Sequence, residues 1–159
     1  MSSSMDDAEH HKLRALFYAS AGGYKTAIQE WTEFLRLNPS DAAAHASRGL
    51  AYACVGNYDE AVADCNEALR LNPNYAQAYA NRALAYMDTR DYEQAIADCN
   101  TALDLDPTLA VAYANRAYIR GKQQNFTMAV SDGEKALELG VDESGTVLQR
   151  QVDNWREQI

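Results

Sequence analysis

Twenty-three acidic residues against 14 basic ones give this 159-residue chain a net charge of −9 and a pI near 4.7. No cluster of Lys or Arg interrupts that acidity, which argues against nucleic acid and against an anionic membrane surface as partners. Apolar residues make up 47% and charged residues 23%, with little Pro and much Ala, so a globular, helix-rich chain is expected.

The start, "MSSSMDDAEHHK", has no apolar core and does not read as a signal peptide. Residues 1–7 are expected to form a flexible N-terminus. No apolar run approaches the ~18 residues that membrane insertion requires. Cys54, Cys65 and Cys99 cannot all pair within one chain. Free thiols in a reducing compartment are the simplest reading, and a cytoplasmic location is expected.

From Ala8 onward the chain repeats itself every 34 residues. "RALFYASAGGYKTAIQEWTEFLRLNP" (Arg14 to Pro39) is followed in phase by "RGLAYACVGNYDEAVADCNEALRLNP" (Arg48 to Pro73) and "RALAYMDTRDYEQAIADCNTALDLDP" (Arg82 to Pro107). "RAYIRGKQQNFTMAVSDGEKALELGV" (Arg116 to Val141) completes the series. Four units then span 8–41, 42–75, 76–109 and 110–143, each with two helices. Asn38-Pro39, Asn72-Pro73 and Asp106-Pro107 stop the second helix of a unit, and Gly140 does so in the last. Asn57 and Asp91 stand three residues before Glu60 and Gln94, the spacing of a capping box. In residues 144–159, Leu148, Val152, Trp155 and Ile159 share a helical face, so this stretch is expected to be a helix that caps the stack.

This period, with its recurring residues, resembles the tetratricopeptide repeat. Small residues Ala15, Gly49, Ala83 and Ala117 fall where paired helices approach. Aromatics Tyr24, Tyr58, Tyr92 and Phe126 open the second helices, followed three residues later by Ala27, Ala61, Ala95 and Ala129. The resemblance implies an all-α, right-handed superhelical solenoid of four helix-turn-helix units plus a C-terminal capping helix. The fourth unit departs from the pattern at Arg120, Gly133 and Val141, so its second helix is expected to be the looser one.

Every unit carries Arg at its seventh place (Arg14, Arg48, Arg82, Arg116) and an acid sixteen residues later (Glu30, Asp64, Asp98, Asp132). Recurrence in all four units suggests ion pairs of the architecture rather than a row of ligand contacts. The resemblance implies that first helices line a concave groove. The expected groove residues are Asn81, Asn115, Ser47, Leu50, Leu84, Tyr118 and Lys122, with Met87, Asp88, Cys54 and Gly121 around them. Asn carboxamides can donate to and accept from a peptide backbone at once, so Asn81 and Asn115 lead that set. Repeats that grip acidic chaperone tails use, in order, Lys, Asn, Asn, Lys and Arg, where this chain offers Lys12, Leu16, Ser47, Gln77 and Asn81, or Ala46, Leu50, Asn81, Val111 and Asn115, so most of the cations are missing. That ligand class is therefore not expected.

No catalytic constellation emerges: His10 and His11 are adjacent near the terminus, and His45 matches Tyr79 and Tyr113. Close-set cysteine pairs of the CxxC kind are missing, so neither metal nor cofactor is expected. The function that follows is a non-enzymatic protein-protein interaction module or scaffold that binds an extended peptide or helix. A self-assembling protein whose groove is filled by another copy, and a secretion-type chaperone, are the alternatives.

Overall fold

Alanine at most packing positions lets this chain form helices and bring them close together. The computed structural model describes residues 4–141 and 146–159, and among them are nine helices and no strand. They are α1 (Ser4–Ser20), α2 (Tyr24–Leu37), α3 (Ala42–Cys54), α4 (Tyr58–Leu71), α5 (Ala76–Asp88), α6 (Tyr92–Leu105), α7 (Ala110–Lys122), α8 (Phe126–Glu138) and α9 (Thr146–Arg156). Helix α1 starts at Ser4, so part of the stretch expected as a flexible N-terminus is helical. The boundary expected at 143/144 lies outside the described residues.

The helices pair as α1·α2, α3·α4, α5·α6 and α7·α8, and each second helix also packs on the first helix of the next unit. Within a pair the approach is tight. A Cβ built on Gly49 would stand 2.9 Å from Cys65 Sγ and 3.1 Å from the Ala61 carbonyl. First helices also touch one another directly, α3 on α5 and α5 on α7. Ala44, Ala46, Ala78, Ala80 and Ala112 are all buried along these contacts. The result is an all-α solenoid with the first helices as its inner layer.

The turns follow local chemistry. Asp41 caps α3 by accepting from the Ala44 N–H at 2.9 Å, and Asp91 accepts more weakly from Gln94 at 3.4 Å. Asn57 makes no side-chain cap, and the Asp91 N–H bonds the Tyr86 carbonyl at 2.8 Å rather than Gln94, so the expected reciprocal box closes at neither site. Gly140 follows α8 in the left-handed region, φ 77.

Each arginine finds its acid. Arg82 donates to both Asp98 oxygens at 2.7 Å, Arg116 to Asp132 at 2.8 Å, and Arg48 to Asp64 at 2.6 and 2.8 Å. Arg14 reaches Glu30 at 2.9 Å. The acids are buried and the arginines partly covered. The hydrogen bond to the carboxylate comes first among the causes that raise the guanidinium pKa values of Arg48, Arg82 and Arg116. Arg82 and Arg116 also donate to Asn66 and Asn100 of the preceding unit, at 2.6 and 2.7 Å. The pairs thus join neighbouring units as well as the helices of one unit.

The departures of the fourth unit serve the capping helix. A Cβ on Gly133 would collide with Val152 Cγ2, and a Cβ on Gly121 would lie 2.6 Å from the Trp155 ring. Both glycines are sockets for α9. Arg120 joins its neighbour by donating to Asp132 at 2.6 Å. The expected loosening of α8 is therefore corrected: α9 packs on it, with Leu148 and Val152 buried against Ala136. Ile159 does not share that face. The helix ends at Arg156, and Ile159 is 72% exposed.

Candidate functional site

Three first helices, α3, α5 and α7, carry the expected groove residues, and the structure sorts them into two groups. Asn81 and Asn115 belong to the stack. Asn81 is 4% exposed and donates through Nδ2 to the Ala46 carbonyl of the preceding first helix at 3.0 Å. Its Oδ1 accepts from Gln77 at 2.8 Å. Asn115 repeats the bond to the Ala80 carbonyl at 3.1 Å and is 9% exposed. The expectation that these carboxamides stand open toward a ligand is corrected. Small alanines bring the helices so close that both Nδ2 groups are taken by the preceding first helix, and in Asn81 the Oδ1 is engaged as well.

Leu50, Leu84 and Tyr118 form the second group. They hold the ninth place of three consecutive units and are half-buried, as are Ser47 and Met87. Asp88 and Lys122 are exposed beyond them. Lys122 Nζ lies 5.0 Å above the Tyr118 ring, a cation–π contact that orients the ammonium. Gly121 is not open, because Trp155 covers it.

Between the third and fourth units the surface sinks into a cavity of about 340 Å³, lined by Met87, Asp88, Arg90, Tyr92, Tyr118 and Lys122. The sequence reading missed Arg90 and Tyr92 as site residues. A signal for Arg90 was present. Gly22 and Gly56 occupy the same place in the first two units, with φ 76 and 85, and Arg90 takes that left-handed backbone with φ 65. A second opening of about 390 Å³ lies between the first two units, where Tyr24 and Cys54 meet.

The thiols of Cys65 and Cys99 and the imidazoles of His11 and His45 are held by burial and by hydrogen bonds of the stack. Burial pushes the Cys65 and Cys99 thiols up to about 12, far from a nucleophile's range. Exposed Cys54 is raised too, first by burial of part of its side chain. His11 and His45 are bound to Glu30 and Asp64 at 2.7 and 3.2 Å. His45 also bonds the Pro39 carbonyl at 2.9 Å, as Tyr79 bonds that of Pro73 at 3.2 Å. Among the described residues no group of three or more His, Cys, Asp or Glu is placed to hold a metal ion, and no helix is long and apolar enough to cross a membrane.

Comparisons with known proteins agree with this geometry. The family profile described as tetratricopeptide repeat matches residues 42–75 and 76–109. The second TPR domain of the human RPAP3 protein, solved in complex with the HSP70 peptide SGPTIEEVD, is 28% identical. It superposes with a TM-score of 0.67 over 74% of this chain and 98% of that one. The first TPR of Spaghetti (RPAP3), bound to the HSP90 peptide SRMEEVD, is 27% identical with a TM-score of 0.68, covering 74% and 94%. A MamA structure from Desulfovibrio magneticus RS-1 shares the fold over 96% of this chain and 91% of its own, at 19% identity and a TM-score of 0.69. Among curated proteins none matches the chain.

Proposed function

This chain is built of tetratricopeptide repeats, and we propose that it is a protein-interaction module that holds an extended peptide or an amphipathic helix along its first helices. One observation carries the reading. Leu50, Leu84 and Tyr118 recur one unit apart and remain half-exposed after the stack has satisfied its own packing. A row of apolar side chains at fixed intervals suits a ligand with regularly spaced hydrophobic anchors. The peptide complexes of the RPAP3 and Spaghetti domains support a peptide as the kind of ligand. The two-carboxylate clamp that holds acidic chaperone tails is incomplete in this chain. Only Lys12 matches a cation of that clamp; Gln77 and Asn81, or Ala46, Val111 and Asn115, stand where the others belong, and Asn81 is spent on Ala46.

Selection of random dodecapeptides on the folded protein, followed by calorimetry, tests the reading. Leu84→Ala should weaken a selected peptide by about 1–3 kcal/mol through lost apolar contact. Peptides that bind Leu50→Ala, Leu84→Ala and Tyr118→Ala variants as tightly as wild type would sink it.

Self-assembly is a second reading with its own observation. Helix α1 exposes Leu13 (59%), Leu16 (48%) and Phe17 (66%) on one face. In the later units the residues matching Phe17 are Ala51, Ala85 and Ile119, all buried by the preceding unit. Sedimentation equilibrium of wild type and Phe17→Glu separates the readings. A mass that stays monomeric at all concentrations rejects self-assembly through this face.

A further inference from the structure

The cavity between the third and fourth units has a chemistry of its own, and we propose that it is a carboxylate subsite of the groove. Arg90 and Lys122 take a carboxylate of the bound peptide, while Met87 and Tyr118 hold the apolar residue beside it. The inference rests on the groove reading above and adds to it the charge of one ligand position.

Unpaired cations are the first observation. Arg14, Arg48, Arg82, Arg116 and Arg120 all engage carboxylates in the stack. No carboxylate among the described residues pairs with Arg90 or Lys122, although both line one cavity. Asp88 lines it too, without forming an ion pair to either. Two cations and one carboxylate leave the cavity positive on a protein whose net charge is −9.

Backbone strain is the second observation. The turn at Arg90 adopts φ 65, a conformation disfavoured for residues with a Cβ. Glycine serves the same turn in the first two units. Gln124 takes the same backbone in the fourth unit with φ 61, so Arg90 alone places a cation in a turn where the other units have glycine or a neutral amide. Orientation is the third. The Tyr118 ring holds the Lys122 ammonium at 5.0 Å, and both side chains line the same cavity as Arg90 and Met87. A guanidinium and an ammonium lining one open pocket can grip one carboxylate with charge-assisted hydrogen bonds. These places differ from those of the chaperone-tail clamp that the chain lacks.

Two phage libraries of random dodecapeptides supply the test. One displays peptides with a blocked C-terminus and so offers side-chain carboxylates alone. The other displays a free C-terminus. Both are selected on wild type, Arg90→Gly and Lys122→Gln. Wild type should enrich Asp or Glu at one position next to an apolar residue, or a free terminus in the second library alone. The enriched library tells side chain from terminus. A selected peptide measured by fluorescence anisotropy should bind Arg90→Gly about tenfold more weakly. The loss should shrink as salt is raised. The melting temperature of Arg90→Gly should stay level or rise, an outcome a purely structural arginine would not give. Peptides without acidic preference that bind both variants like wild type overturn the subsite and leave the groove standing. Failure of both libraries to enrich any peptide on wild type overturns the subsite and the groove together.

Discussion

Replacing Asn81 and Asn115 together by alanine tests how the units are joined. Each side chain donates to a backbone carbonyl of the preceding first helix, at 3.0 and 3.1 Å, and each is nearly inaccessible to water. A net hydrogen bond contributes about 1 kcal/mol, and the gap left between the helices by the buried carboxamide adds about another 1 kcal/mol. Alanine returns roughly 0.6 kcal/mol per site through better helix propensity. The double variant should therefore lose about 2–4 kcal/mol. With an m-value of roughly 2 kcal/mol/M for a chain of this size, the urea midpoint should fall by about 1–2 M. The transition should also broaden, because coupling between neighbouring units sets the cooperativity of a repeat stack. Circular dichroism at 222 nm during a urea titration reads both effects. A double variant as stable as wild type, or more stable, would refute the reasoning and return both asparagines to the solvent-facing groove.

Other expectations are as direct. Arg82→Ala leaves Asp98 buried without its bidentate partner and should cost about 2–4 kcal/mol, read by the same titration; Arg82→Lys should recover only part, because one ammonium cannot replace two parallel bonds. Gly133→Ala pushes against Val152 and should destabilise by about 1–3 kcal/mol, with Trp155 fluorescence shifting to the red as α9 loosens. Removing residues 146–159 uncovers Ala136 and should produce aggregation or a lower melting temperature; an unchanged, monomeric product would show α9 to be dispensable. A thiol reagent at pH 8 should label Cys54 alone in the native protein and all three cysteines in denaturant. The folded Cys65 and Cys99 thiols titrate near 12 against an ordinary value of 9.0, so the folded state holds more protons between those values. The contribution of these two thiols to stability should be constant below pH 9 and be lost as pH rises toward 12.

Much of the stack was legible because a period makes each residue testify several times. Arg and acid at fixed places in four units had to be architectural, and they are. The turns were legible from Asn-Pro and Asp-Pro steps, whose backbone preferences are local. Other features were hidden because their reasons lie on distant elements. Gly121 and Gly133 look like defects in the fourth unit until Trp155 and Val152 of α9 are placed against them. The partner of Asn81 is a carbonyl 35 residues upstream, and spacing alone does not tell a groove-facing amide from one turned into the next helix. Arg90 left a trace, since it stands where earlier units use glycine, but the cavity beside it requires Tyr118 and Lys122 from another unit. Ile159 fitted the helical period of the cap and still fell outside it, because the helix ends three residues before it.

The measurement that reaches the central claim most directly is a chemical-shift map of the ¹⁵N-labelled protein titrated with a selected dodecapeptide. The account predicts shifts at Leu50, Leu84, Met87 and Tyr118 on α3, α5 and α7, with the exposed second-helix residues Ala63, Ala97 and Ser131 unmoved. Shifts confined to those second-helix residues, or to the exposed face of α1, would contradict it.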